Sequence, residues 1–225
     1  MEVRLSLHEV ISKSTRALKA LNFPPGLDIE NGENIGWLES HGLPGIQTLF
    51  EEIKCAPTNN SPNLYKIDIK KDTVHFSNLS CSAFHLAQSA IDFAEMDKTV
   101  CIDQCRFPLL IFAEMARRKH LPFGFQIQLI KDDEITRGFS IFGDSEITLY
   151  SRKLTAAYDL KITTAKDLKI ENPLKMLSQE KSSKNFGISC DRDHWEAICA
   201  KAKKTLVPDS QQSHSSAGAE VDDSN

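Results

Sequence analysis

The sequence predicts an α+β fold: an N-terminal helical segment packed with a mainly antiparallel sheet that carries helices, then a C-terminal helix and a flexible acidic tail. Three observations predict it. Apolar residues return every three or four positions as far as Cys55, they alternate at a period of two from Tyr65 onward, and turn-forming residues separate the two regimes. Runs of strands joined by short turns pair antiparallel, whereas a repeating parallel sheet needs a crossover between each pair.

The first helix spans about Leu7 to Leu21, with Leu7, Val10, Ile11, Ala17, Leu18 and Leu21 on one stripe. Ser6 and Glu9 form a capping-box pair that satisfies amide donors at its start. Phe23-Pro24-Pro25-Gly26 ends it, because proline lacks a donor and disfavours helical geometry in the residue before it. Asp28 is placed to cap a second helix running to about His41, with Ile29, Ile35 and Leu38 inward and Gly42 as its left-handed terminator. A third follows Pro44 through Ile46, Leu49, Phe50 and Ile53 to Cys55.

Ala56 to Asn63 is turn chemistry and reads as a connection. Tyr65, Ile67 and Ile69 then alternate with Lys66, Asp68 and Lys70, and Val74 to Phe76 follows a Lys-Lys-Asp turn, which predicts a hairpin half buried on one face. Helices are expected over Cys81–Phe93 and Pro108–Lys119, with a short strand at Thr99–Ile102 between them. Three further strands, Phe123–Ile130, Ile135–Phe142 and Glu146–Ser151, precede an alternating run at Tyr158, Leu160 and Ile162; Gly143-Asp144 suits a tight turn joining the last two of the three. Asp191 or Asp193 caps a closing helix through Trp195, Ile198, Cys199 and Ala202, which Val207-Pro208 ends. The expected organisation is one α+β domain over 1–208, with a helical subregion at 1–55 and sheet and helices at 64–205, then an acidic low-complexity tail at 209–225.

A chain of 225 residues is long enough to bury a core without disulfides or metal. Its 40% hydrophobic and 26% charged residues exclude a wholly disordered chain, a collagen and a disulfide scaffold. The net charge of -4 resides in the last twenty residues; without them 27 basic residues face 27 acidic ones. Nucleic-acid binding draws most of its affinity from phosphate contacts and so shows a strong basic excess, which is missing here. The local excess between Ser151 and Leu206, twelve basic against seven acidic residues, reads as a solvated face. Glu2 and Glu9 around a short apolar stretch do not make a signal peptide, and the apolar run Phe107–Ala116 is about half the length of a membrane span. A soluble cytoplasmic protein with no nucleic-acid or membrane partner is expected, its six cysteines remaining thiols.

Ser6-Leu7 with Glu9, the Gly26-Leu27 step, Trp37-Leu38 and Gly42-Leu43-Pro44-Gly45 resemble the opening of a bacterial family of uncharacterised proteins, the domain-of-unknown-function family 3726. The closing stretch is similar to that family's ending: Trp195, then Thr205-Leu206-Val207-Pro208, Ala217-Gly218-Ala219 and Asp222-Asp223-Ser224-Asn225. The resemblance covers roughly the first fifty-five and last thirty-five positions, with Phe23-Pro24-Pro25 and Glu220 as departures. It implies no reaction and transfers no catalytic residue. It does imply a use for the tail, in which Asp222 and Asp223 would bind a ligand or a basic patch, against the compositional reading of solvated coil.

Candidate site residues are few. Cys81 and His85, four apart on the expected helix, make either an activated thiol or a packing pair in an alanine-rich stripe. Cys101 and Cys105 lack a second ligand pair, so no metal site is expected. Cys190 and His194 repeat the offset, but Asp191 and Asp193 would raise the thiol's pKa. His41 reads as a helix-end residue, Trp37 as packing, and Asp132-Asp133-Glu134 as a solvated turn. The sequence contains no phosphate loop, dinucleotide fingerprint, nucleophile elbow or zinc-protease helix. Lacking a complete acid, base, nucleophile or metal set, the chain is expected to be a non-catalytic accessory or partner-binding subunit, with a protein partner or homo-oligomer. The alternative is a small metabolic enzyme whose pocket lies between the helical segment and the sheet and whose polar groups are scattered along the chain; the cofactor is open in either case.

Overall fold

The computed structural model describes residues 1–55, 65–77, 82–118, 124–131, 134–142, 146–149, 158–165 and 187–205. Along the chain run β1 (Glu2–Leu5), α1 (Leu7–Lys19), α2 (Leu27–Ser40), α3 (Gly45–Cys55), β2 (Lys66–Ile69), β3 (Thr73–Ser77), α4 (Ala83–Glu95) and β4 (Thr99–Cys105). There follow α5 (Pro108–Arg117), β5 (Gly124–Lys131), β6 (Glu134–Phe142), β7 (Glu146–Leu149), β8 (Tyr158–Ala165), β9 (Ile188–Asp191), α6 (Arg192–Ala202) and a 3-10 turn, Lys203–Thr205. Among the described residues no helix is long and apolar enough to cross a membrane.

The fold is α+β, as the two periodicities predict. Seven strands form a mixed sheet in the order β2-β3-β4-β8-β5-β6-β7, and every neighbouring pair is antiparallel except β3 and β4. That parallel pair is joined through α4, a single β-α-β crossover. Alternation sets the buried face: Val74, Phe76, Val100, Ile102, Ile127, Leu129, Leu160 and Ile162 are buried, while the residues between them are at least partly exposed. Helices α4 and α5 cover this face. Every residue from Pro108 to Ala116 is buried, because α5 is wedged between the sheet, α4 and α2; its apolar run is a core helix.

The front segment has two features the sequence did not predict. β1 pairs with β9, Glu2 opposite Asp191 and Leu5 opposite Ile188, so the two regions meet across more than 180 residues of chain. Helix α2, moreover, is buried through polar and small residues. Asp28, Asn31, Asn34 and Ser40 are buried alongside Ile35 and Leu38, while Ile29, expected inward, is 52% exposed. Asp28 is not the cap: Gly26 is, and the Asp28 carboxylate accepts from the amides of Gly26 and Ile29, each at 2.9 Å. Ser6 caps α1 as expected, accepting from Glu9 N–H at 3.1 Å, and Gly42 takes the left-handed conformation (φ 71°) that ends α2.

The hairpin β2–β3 is present, but its outer strand is not half buried. Ile67 and Ile69 are 43% and 57% exposed, and β2 is the edge strand of the sheet. Another departure lies at β4, which runs past Ile102 to Cys105 through a bulge. Gln104 there takes a positive φ of 45°, and its amide donates to Asp159 Oδ1 at 2.7 Å.

The α1–α2 contact depends on glycine. A Cβ at Gly32 would sit 2.1 Å from Thr15 Oγ1 and 3.2 Å from the Ile11 carbonyl oxygen; one at Gly36 would sit 2.4 Å from Ile11 Cγ1. The double change Gly32→Ala, Gly36→Ala should therefore lower stability by about 2 kcal/mol in urea unfolding, overpacking outweighing the better helix propensity of alanine. An unchanged midpoint would show that α1 yields freely.

Candidate functional site

The corner between α2 and α3 holds a buried histidine, the one buried histidine of the five described. His41 is the residue that ends α2, and its ring stacks on Trp37 with centroids 4.0 Å apart. Its Nδ1 lies 2.7 Å from the Trp37 carbonyl oxygen and 3.0 Å from Ser40 Oγ, while the Ser40 hydroxyl donates to the same carbonyl at 2.8 Å. A carbonyl oxygen only accepts, so Nδ1 carries the hydrogen, and in the neutral ring Nε2 bears the lone pair. Trp37 packs edge-on against Phe112 of α5, which fixes the indole beneath the imidazole. The pair Ser40–His41 is thus oriented by backbone and core, as a group that exchanges protons must be.

Glu39 secures the corner. Its carboxylate accepts from the Ile46 amide at 2.6 Å and from that of Gly45, capping α3 from the end of α2. Burial outweighs those amides and pushes its pKa up to about 7. Between the ordinary 4.5 and about 7 the folded chain holds a proton that the unfolded chain has lost. Unfolding in that window releases the proton, and stability falls as pH rises. The expected loss from pH 5 to pH 7.5 is on the order of 2 kcal/mol, flattened in Glu39→Gln. Denaturation at the two pH values checks it; an equal slope in the variant would remove Glu39 as the cause.

A second cluster lies where the N-termini of α4 and α5 meet the end of β4. Ser82 and Arg106 form an isolated parallel bridge, and Ala83 N–H donates to the Arg106 carbonyl at 3.0 Å. Arg106 Nη2 donates to Glu52 Oε2 of α3 at 2.9 Å. Burial raises the pKa of Glu52, against the pull of Arg106 and of the Ser82 hydroxyl. That hydroxyl faces the carboxylate without closing a hydrogen bond, and it and Arg106 Nε are buried with no partner among the described residues.

A third cluster is structural. Asn31 Nδ2 donates to the Phe84 carbonyl at 2.7 Å, and Asn34 Nδ2 to buried Glu114 at 3.0 Å. Arg117 donates to Asn34 Oδ1 at 2.8 Å and pairs with Glu30 and Glu33. Arg118 bridges Glu114, Asp92 and Glu95 at 2.7–3.0 Å, and these carboxylates raise its pKa against burial, so it stays charged. The network ties α2, α4 and α5 together.

Of the pairs singled out in the sequence, His85 adjoins Arg106 of the second cluster and Cys190 adjoins Glu39. Helix α4 begins at Ala83, and Cys81 lies outside the described residues. His85 stacks on Phe23 at 4.4 Å, with a pKa lowered first by burial and then by Arg106. Asp222 and Asp223, the rest of the tail, Asp132, Asp133 and the Gly143-Asp144 turn are also outside the described residues. Cys101 is partly exposed and Cys105 is in the core, for the bulge between them breaks the alternation. Among the described residues no three His, Cys, Asp or Glu side chains form a group that could hold a metal. Cys190 lies in β9, its thiol pushed up to about 11 by burial, Glu39 and Asp191, while His194 packs on Phe50. Asp191, not Asp193, caps α6, accepting from Asp193 and His194 amides at 2.8 and 3.3 Å.

What the fold and corner define is a class: a helix-covered mixed sheet with an oriented, buried histidine at the end of a central helix. Residues 5–85 match the model of a family described as protein of unknown function (DUF3726), the family the sequence resembles. No curated protein matches the chain in sequence. Among solved structures, malate dehydrogenase from Pyrococcus horikoshii OT3 is similar at a TM-score of 0.60 and 9% identity, over 90% of this chain and 95% of that one. Malate dehydrogenase from Entamoeba histolytica is similar at 0.58 and 7%, over 93% and 100%. Sulfolactate dehydrogenase from Methanocaldococcus jannaschii is similar at 0.60 and 9%, over 90% and 97%. At these identities the likeness shows the fold. It overturns the expectation of a non-catalytic accessory subunit, because the solved structures that share this fold over nine-tenths of the chain are dehydrogenases.

Proposed function

We propose that the chain is an oxidoreductase of small 2-hydroxy carboxylates and the corresponding 2-oxo acids. The observation that carries this reading is the fold shared over at least 90% of the chain with malate and sulfolactate dehydrogenases, whose named substrates are all 2-hydroxy acids. Oxidation moves a hydride from C2 to an acceptor and the hydroxyl proton to a base; reduction reverses both. His41 suits the proton transfer, since it is buried, its tautomer is set through Nδ1, and Ser40 buttresses it. In the sequence His41 reads as a helix end alone, because nothing in its neighbours shows which face of α2 the core would cover.

The purified chain is assayed with malate, lactate and sulfolactate against NAD+ and NADP+, and in reverse with the 2-oxo acids and reduced dinucleotides, by absorbance at 340 nm. Turnover of at least one pair is expected. The reading fails if no pair turns over and no dinucleotide or acid shifts the melting temperature.

A further inference from the structure

Among the described residues, the junction of α4, β4 and α5 buries two side-chain donors that no acceptor meets, Ser82 Oγ and Arg106 Nε. Ser82 is the N-cap of α4, a thirteen-residue helix, and is 2% exposed, yet its hydroxyl caps nothing and has no partner among the described residues. Just ahead of the next helix the same pattern recurs in charge: Arg106 uses Nη2 on Glu52 and leaves a buried Nε–H without an acceptor among the described residues. Helix α5 starts soon after, at Pro108, with Phe107 as a left-handed N-cap that offers no side-chain oxygen. The Ser82–Arg106 bridge therefore lies at two helix N-termini, each with partial positive charge, and beside a guanidinium, against a single carboxylate.

Buried donors left open are rare and call for an acceptor. We infer that this junction is an oxyanion subsite in which Ser82, the Arg106 guanidinium and the N-terminus of α4 receive a carboxylate or phosphate group. The inference does not depend on the reaction proposed above. Helix N-termini and arginine are the groups that bind oxyanions, and a bidentate grip needs the Nε–H that Glu52 leaves unused. Glu52 competes with the ligand for the same guanidinium, so the subsite strengthens when that carboxylate is neutralised. His85 lies on α4 near Arg106 and is held towards its neutral form, and the Cys105 thiol donates to the Arg106 carbonyl at 3.5 Å.

The full chain is titrated calorimetrically with inorganic phosphate and with oxalate, alongside Ser82→Ala, Arg106→Gln and Glu52→Gln, each checked by circular dichroism. Saturable binding of at least one probe at millimolar concentration is expected, and which of the two binds tells phosphate from carboxylate as its source. Arg106→Gln should weaken it at least tenfold and Ser82→Ala about three- to tenfold. Glu52→Gln should tighten it. No saturable binding of either probe overturns the inference, and so does affinity unchanged in Ser82→Ala, the small truncation that decides the matter if Arg106→Gln does not fold. Weaker binding in a folded Glu52→Gln also overturns it, since that would make Glu52 part of the grip.

Discussion

In the reaction proposed, His41→Ala is expected to lower turnover of the 2-hydroxy acid a hundredfold or more, the loss falling on kcat, because it removes the group proposed to carry the substrate's proton. The magnitude follows from what positioned acid–base groups contribute, roughly a hundred- to ten-thousandfold. Ser40→Ala should cost less, about three- to tenfold, because Nδ1 keeps the Trp37 carbonyl at 2.7 Å and the ring keeps its stack on the indole. The pH profile separates the roles: the serine variant keeps the limb that reports the histidine, and the alanine variant at 41 loses it. Full activity in a folded His41→Ala protein would assign the proton to another group.

The largest expected effect on stability is Glu114→Ala. Glu114 is 4% exposed and accepts from Asn34 at 3.0 Å and from Arg118 Nε and Nη2 at 3.0 and 2.9 Å. Truncation leaves a buried amide without its acceptor and takes from Arg118 its innermost carboxylate; breaking such a pair costs about 3–5 kcal/mol. Asp92 and Glu95 still hold Arg118 from the solvent side, each at 2.7 Å, which sets the loss at the lower end. Glu114→Gln retains an acceptor and should cost about half as much. Urea unfolding followed by circular dichroism measures both; a loss below about 1 kcal/mol for the alanine variant would mean that the arginines simply turn outward.

Much of the fold is legible in the sequence because local chemistry and tertiary packing agree. Helix α1 carries its stripe, its Ser6 cap and its stop, and its buried Val10, Ala17 and Leu18 are those the periodicity marks. Strands β4, β5 and β8 show themselves by alternation, since Val100, Ile102, Ile127, Leu129, Leu160 and Ile162 are buried and the residues between them are not. Helix α2 is legible in extent and in its inward Ile35 and Leu38, but not in the rest of its buried surface. Asp28, Asn31, Gly32, Asn34 and Gly36 bury by hydrogen bonding and by close approach, and apolar periodicity is blind to both.

The candidate site is mostly illegible for the same reason. In a sequence the residues that stand out are those four apart, the offset that brings side chains together on one helix, and this pairs Cys81 with His85 and Cys190 with His194. The polar clusters in the structure join Glu52 to Arg106 across 54 positions and Asn34 to Glu114 across 80. What the sequence determined by itself was the helices, the strands of the seven-stranded sheet, the Ser6 and Gly42 ends of α1 and α2 and the apolar face of that sheet, because each is fixed by neighbours within one turn or one strand. Tertiary structure alone decided that α2 buries Asp28, Asn31 and Asn34 beside its apolar residues, that β1 meets β9, and that His41 is turned into the protein with its tautomer set. Those depend on which distant backbone groups and helix ends come within hydrogen-bonding reach, a matter of chain path that no local pattern encodes.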